Sequence, residues 1–385
     1  MSGPGFPSRI LHVVARFRPD ADGVGETALN LANVLLRDYG IGSGFIVFKP
    51  AGSVPELEIA DSFPHPIARL DGVPGAFDSA MERLAGQPPE PPTLLLHYAP
   101  YGYAQQGVPF WLPPALNRII RRGGRLLTLF HELYARPRFP RKTLITSGFQ
   151  KHIFRSLLAA SQAAFTSSED YLETMRRNNR ANRPVRLIGI CSSAGEPEHP
   201  GPLKARARRL AVFGRFVTRK ALYSRHLATL ARVAQHLGIE EIADIGAVED
   251  PLWMEKNVLE PLGPLMKTYG VVSVKEASRL LGDCIVGAIA YCYDLRGKSS
   301  IYAAYQAHAV AILHFSDSGL EETREPGSWS LSANDLLGLP PGSEVLANRL
   351  QQAASAARDH YDRYRSVRAM AETMLPALRN SAVKP

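Results

Sequence analysis

The stretch that decides the fold is Cys284–Val310, CIVGAIAYCYDLRGKSSIYAAYQAHAV. Its first eight residues form an apolar run of strand length, and the residues after Lys298 carry apolar side chains at helical spacing. A buried strand, a glycine-containing loop and a helix, in that order, build a parallel sheet covered by helices. The Gly297–Ser299 tripeptide GKS also ends the phosphate loop of P-loop enzymes. That loop needs another glycine five positions earlier, so that backbone N–H groups can wrap the phosphates, and the position holds Cys292. Three readings stay open here: a surface lysine at a helix start, a P-loop, or a phosphate grip of another design.

The same rhythm extends in both directions. Towards the N-terminus, RILHVVA (9–15), GFIVF (44–48), TLLLHY (93–98), RLLTLFHE (125–132) and AAFTSS (163–168) read as strands. They alternate with helices such as TALNLANVLLRDYG, PPALNRIIRRG and EDYLETMRRN, the last with Ser167 or Ser168 as its N-cap. PVRLIGI closes this half. CSSAGEPEHPGPLKARAR (191–208), rich in Pro, Gly and Ser, reads as a linker. The pattern then restarts with LAVFGRF, a helix from Ala221, IEEIADIGA and YGVVSVKEASRLLGD, and ends in VAILHF and a long helical tail. Near-continuous apolar strands between helices imply parallel sheets buried on both faces. The expected fold class is α/β, with two doubly wound domains and ligands at the carboxyl edges of their strands, in a cleft between them.

A chain of 385 residues, 45% apolar and 21% charged, accommodates two such domains. No run approaches the ~18 apolar residues of a spanning helix, and MSGPGFPS lacks signal-peptide character. The three cysteines, Cys191, Cys284 and Cys292, have no metal-ligand spacing and read as reduced thiols of a cytoplasmic protein without a structural metal. Net charge is +9, and residues 118–155 hold ten Arg and Lys against one acid, Glu132. Such a surplus suits a phosphorylated substrate or an anionic membrane face, or is a solvated surface. No aromatics interleave with it in the manner of RNA-binding modules, so nucleic acid is not expected as a partner.

Four stretches carry candidate chemistry. DADGVGE (20–26) places Gly23 and Gly25 before a helix whose N-terminus attracts anions, or forms a plain strand–helix turn. FGRFVTRK (213–220) sets Arg215 and Lys220 at the end of a strand, where both can reach one diphosphate together with Lys298. TLFHELY ends a strand on His131 and Glu132. HYAPYGYAQQGVPFW (97–111) gathers Tyr98, Tyr101, Tyr103, Phe110 and Trp111 around a loop. These rings suit a sugar or lipid, with core packing the alternative for Phe110 and Trp111.

Taken in order, these stretches resemble the GT-B glycosyltransferases, within the large retaining family that uses nucleotide sugars (glycosyltransferase family 4-like). DGVGETALNLANVL is similar to that family's glycine turn and first helix, and FGRFVTRKAL to its diphosphate grip. HEL and AFTSSEDYLETM resemble the middle strands of its acceptor domain, and YGVVSVKEASRLLGDCIVGAIAY its nucleobase-binding region. HYAPYGYAQQGVPFWL and GKSSIYAAYQAHAV resemble a subgroup found in bacterial polysaccharide clusters. The resemblance implies two Rossmann-like domains: residues 1–200 for the acceptor, 201–360 for the donor, and a helix at 361–385 crossing back to the first. One departure stands out. The family's two glutamates, eight apart, align with Ala303 and the neighbourhood of Leu295 and Asp294.

The implied activity is transfer of a hexosyl group from a nucleotide diphosphate sugar to a saccharide or lipid-linked acceptor, without metal or other cofactor. Arg215, Lys220, Lys298, Ser299 and Ser300 would hold the diphosphate, and His131 and Glu132 the sugar or acceptor. The expected location is cytoplasmic, at the inner membrane face. The missing glutamates motivate the alternative of a non-catalytic nucleotide- or glycan-binding partner of a true transferase. An epimerase of the same fold is a further rival, and a P-loop nucleotidase a remote one.

Overall fold

The structure, a computed structural model, describes residues 6–17, 23–48, 57–58, 64–70, 75–84, 91–135, 142–291, 293–316 and 329–379. The chain divides into two compact units, Met1–Gly189 with Val367–Pro385, and Ile190–Ser366.

The first unit runs β1 (Arg9–Val14), α1 (Gly23–Tyr39), β2 (Gly42–Phe48), β3 (Leu57–Glu58), β4 (Ile67–Leu70), α2 (Ala76–Leu84), β5 (Thr93–Tyr98) and α3 (Pro100–Tyr103). It continues with α4 (Leu112–Arg121), β6 (Arg125–Phe130), α5 (Lys142–Ala160), β7 (Ala163–Thr166), α6 (Glu169–Asn178) and β8 (Val185–Leu187). Its eight strands are ordered β3-β4-β2-β1-β5-β6-β7-β8. All neighbouring pairs are parallel except β3 with β4. Every residue of β5 is buried, as strands covered on both faces require.

The second unit runs β9 (Arg209–Phe213), α7 (Phe216–His236), β10 (Glu241–Ile245), α8 (Pro251–Met254), α9 (Glu260–Leu262), β11 (Met266–Gly270), α10 (Val274–Gly282) and β12 (Val286–Tyr291). A 3-10 turn over Tyr293–Lys298 leads into α11 (Ser300–Ala307), followed by β13 (Ala311–Ser316), β14 (Ser330–Leu331), α12 (Ala333–Leu337) and α13 (Glu344–Tyr364). The six-stranded sheet is ordered β11-β10-β9-β12-β13-β14 and is parallel throughout its described pairs. Two parallel sheets with helices between their strands are the α/β architecture that the sequence leads one to expect.

Three local details differ from that expectation. The strand expected through Phe216 stops at Phe213, because Gly214 adopts φ +126°, and α7 starts at Phe216. The helical tail is two helices: α13 belongs to the second unit, while α14 (Val367–Leu378) packs on α1 in the first. Arg125 caps α14 by donating to the carbonyls of Ala377 and Arg379 at 2.6 and 3.0 Å. Residues 191–208 pack within the second unit rather than hanging as a free linker. The Ser192 N–H donates to the Tyr361 hydroxyl at 2.9 Å, and Ala194 is fully buried.

Candidate active site

In each sheet the strand order reverses between two neighbours, β1 and β5 in the first unit and β9 and β12 in the second. Ligands of open parallel sheets bind beyond the carboxyl ends of such strands, where the loops part.

In the second unit β12 pairs with β9 only at Val286 and Gly287, opposite Leu210 and Ala211. Above that point Tyr305 of α11 wedges the strands apart. Its hydroxyl lies 3.2 Å from Ala211 O and 3.1 Å from Ala288 O, and accepts the Phe213 N–H at 3.0 Å. Gly287 is glycine because a Cβ there would stand 2.5 Å from the Tyr305 ring. The wedge fixes α11, and the turn at Gly214 closes onto it: a Cβ on Gly214 would meet Ile301 Cδ1 at 2.3 Å. The turn after β9 therefore touches the first turn of α11, the helix that follows β12.

Arg215 is the N-cap residue of α7, exposed, its side chain making no hydrogen bond or ion pair with a described residue. Lys298 is half-buried and ends the 3-10 turn. Ser299 is buried, and its hydroxyl caps α11 by accepting the Tyr302 N–H at 3.2 Å. Ser300 opens the helix. The turn is anchored from below by Arg365, which donates to Arg296 O at 2.6 Å and to Gln306 Oε1 at 3.0 Å. Burial pulls the Arg365 guanidinium down to about 10. Lys220 points elsewhere: it binds Asp250 Oδ2 at 3.0 Å and sits 4.5 Å from the Trp253 ring centroid. That hydrogen bond holds the Asp250 carboxyl below the usual carboxylate range.

Sequence reasoning missed Arg219. It is 1% exposed, ion-paired to Asp244 of β10, and donates to the carbonyls of Gly214 at 2.9 Å and of Ala247. Tyr223 donates its hydroxyl to the same carboxylate. Arg219 thereby stitches together the turns after β9 and β10. The signal was present: Phe216, Arg219, Leu222 and Tyr223 form the buried stripe of α7 at helical spacing. It is visible only once the helix starts at Phe216.

In the first unit Tyr103 of α3 fills the gap between β1 and β5, its hydroxyl 2.9 Å from both Val13 O and His97 O. Across the same gap runs a ladder of histidines, one on each of β1 and β5 and one just beyond β6. His12 Nδ1 lies 3.1 Å from His97 Nε2, and His97 Nδ1 lies 3.4 Å from His131 Nε2. At the inner end, Ser43 Oγ of β2 is 3.3 Å from His12 Nε2. The rings are stacked, with centroids 5.4 and 5.6 Å apart and planes within 22°. Each step crosses one strand and climbs two residues, which keeps every member on one face of the sheet. Burial, reinforced by His65, pushes His12 down to about 3, and burial likewise holds His97 well below its ordinary value.

His131, half-buried, is tied by its backbone N–H to Tyr98 O at 2.9 Å. Glu132 is exposed, and its carboxylate makes no hydrogen bond or ion pair with a described residue. Gly23 and Gly25 lie in the first turn of α1 rather than in a loop before it, and Thr27 donates its hydroxyl to Gly23 O at 2.7 Å. Residues 18–22, which include the start of DADGVGE, lie outside the described residues.

No protein-family profile matches this chain, and no curated protein sequence does. Solved structures do. A sucrose-phosphate synthase from Thermosynechococcus elongatus superposes with a TM-score of 0.60 at 14% identity, over 96% of this chain and 98% of that one. An α-glucosyltransferase in complex with UDP and a 13-mer DNA gives 0.59 at 10% identity, over 98% and 99%. The fold is that of the GT-B glycosyltransferases. A third structure of this kind, Anabaena HepE in complex with UDP, gives 0.56 at 13% identity, over 96% and 99%.

Against the GT-B resemblance, one expected ligand position turns inward. Ala303 of α11 is fully buried with Ala307 and Tyr361, so a carboxylate there would face α13 and not a substrate. Nor do the described members of the basic run 118–155 form one face. Arg118, Arg121, Arg122 and Arg125 surround the amino end of β6, while Lys151 lies along α5, 5.1 Å from the Tyr134 ring. Arg136, Arg138 and Arg141 are outside the described residues. The aromatics divide: Tyr98 and Tyr103 are core, Trp111 stacks on Phe48 at 4.5 Å, and Tyr101 and Phe110 are exposed. Core packing is thus the wrong reading for Phe110, which touches exposed Phe149 edge-on at 5.3 Å. Cys191 and Cys284 are buried thiols in no disulfide among the described residues, and Cys292 lies outside those residues.

Proposed function

We propose that the protein transfers a hexosyl group from a nucleotide diphosphate sugar to a saccharide or lipid-linked acceptor in glycoconjugate synthesis, with retention and without a metal. The observation that carries this is the contact of Gly214 with Ile301, which joins Arg215 at the N-terminus of α7 to Lys298 and Ser299 at that of α11. Two helix N-termini, an exposed guanidinium and an ammonium suit one diphosphate. As the bond to the anomeric carbon breaks, negative charge grows on the departing diphosphate, and groups fixed in advance around it lower the barrier most. Lys220 joins them by leaving Asp250 when the donor arrives. His131 and Glu132 take the sugar or acceptor side.

The exposed Tyr101, Phe110, Ile145 and Phe149 favour an acceptor with an apolar part, presented at an anionic membrane face. Failure to bind phosphatidylglycerol vesicles at low salt removes that version. The test of the donor reading is thermal stability against UDP-, GDP-, ADP- and dTDP-sugars with EDTA present. A bound donor at one hundred times its Kd adds about 2.7 kcal/mol. One nucleotide sugar is expected to stabilise the protein, and Lys298→Ala to remove about half of that effect at the same donor concentration. Buried Ala303 favours a second reading, a non-catalytic donor-binding partner of another transferase. Sugar release or transfer by the purified protein excludes it.

A further inference from the structure

The ladder Ser43–His12–His97–His131 has a direction. Ser43 is 2% exposed, and among the described residues His12 Nε2 is the only hydrogen-bond partner of its hydroxyl. A buried O–H that donates to nothing costs free energy, so the hydroxyl donates, and His12 Nε2 must carry the lone pair. A neutral imidazole has one N–H and one lone pair, so the His12 proton is on Nδ1 and goes to His97 Nε2. The same rule puts the His97 proton on Nδ1, donating to His131 Nε2. Three tautomers follow from one hydroxyl.

We infer that Ser43, His12 and His97 are positioning residues that fix His131 in the Nδ1–H tautomer, so that it meets substrate as a hydrogen-bond donor and not as a base. To act as a base at Nδ1, His131 must first lose that proton. The whole ladder would then have to reverse, with His12 donating to Ser43 and the Ser43 proton left without an acceptor. Burial keeps His12 and His97 neutral, so no charged ring in the interior can relieve the constraint. A donor at His131 suits a sugar hydroxyl of the donor or acceptor, and fits a reaction in which the acceptor's proton leaves by another route. The role towards substrate rests on the transferase reading above, while the tautomer does not.

The experiment is long-range 1H–15N correlation NMR of the histidine-labelled full-length chain at pH 7.5, with peaks assigned by His→Gln variants. His12, His97 and His131 are expected as Nδ1–H tautomers. An Nε2–H or doubly protonated ring at any of the three overturns the proposal, whether or not transfer is detected. In Ser43→Ala the three rings should become tautomer mixtures. Transfer should fall about tenfold in kcat with the donor KM unchanged, a modest fraction of what loss of a direct donor costs. Ser43→Thr, which keeps the hydroxyl, should restore both. Unchanged tautomers and kcat in Ser43→Ala overturn the positioning role. If Ser43→Ala does not fold, the wild-type spectrum still decides. If no transfer is found with any nucleotide sugar, the transferase reading fails while the spectrum still tests the ladder.

Discussion

Where β1 parts from β5, and where β9 parts from β12, a tyrosine hydroxyl fills the gap: Tyr103 bridges Val13 O and His97 O, and Tyr305 bridges Ala211 O, Ala288 O and the Phe213 N–H. The backbone problem is the same in both units, since diverging parallel strands leave polar groups unpaired inside the protein. Around the wedge the two units differ. The first lines its gap with imidazoles, stacked and hydrogen-bonded, and burial keeps His12 and His97 among them neutral. The second surrounds its gap with charge, Arg219 on Asp244 below and Arg215 and Lys298 above. Neutral groups can be buried in series at modest cost, whereas buried charge must be paired. That difference is the reason the proposed function gives the donor's diphosphate to the second unit and hydrogen bonds to uncharged groups to the first.

The comparison can be broken most severely at Arg219. Arg219→Met leaves Asp244 buried without its partner, and urea unfolding should show a loss of about 3–5 kcal/mol. A loss no larger than that of a surface arginine would deny the pair its structural role. Tyr103→Phe and Tyr305→Phe each orphan buried backbone groups, and each should cost about 1–3 kcal/mol. Similar losses at both would confirm that the two wedges are one device. Lys298→Ala should weaken nucleotide-sugar binding about tenfold by calorimetry, which is about 1.4 kcal/mol.

Acid should expose the neutral edge. His12 and His97 have folded values below the ordinary 6.5, so below that pH the unfolded chain takes up protons that the folded chain refuses. Stability therefore falls as pH drops from about 6.5 and is unaffected above 7, by about 1 kcal/mol for each such histidine at pH 5.5. A Tm that is flat between pH 7 and 5 would contradict this. The smallest effect is expected at Lys220→Ala, about threefold or less in donor affinity, because its charge is already spent on exposed Asp250.

Much of the fold is legible in the amino-acid sequence. Apolar runs such as TLLLHY and CIVGAIAY place the strands, because a strand buried on both faces admits few polar residues. Glycines at 214 and 297 mark the turns that follow two of them. Arg219 is hidden in FVTRK because its burial depends on where the helix starts, and Gly214 decides that through its positive φ. The histidine ladder leaves a faint trace: ILHVV, LLLHY and TLFHE each end or interrupt an apolar strand with a histidine. Nothing local connects residues 85 and 34 positions apart.

The sequence by itself determined the alternation of strand and helix, hence the parallel sheets and the ends at which their loops gather, because periodicity and turn chemistry act over a few residues. Only the tertiary structure decided which side chains meet at those ends. It set Arg219 on Asp244, spent Lys220 on Asp250, turned Ala303 into the core and stacked His12, His97 and His131 in one line. Strand order and register make those contacts, and both are set by packing between segments far apart in the chain.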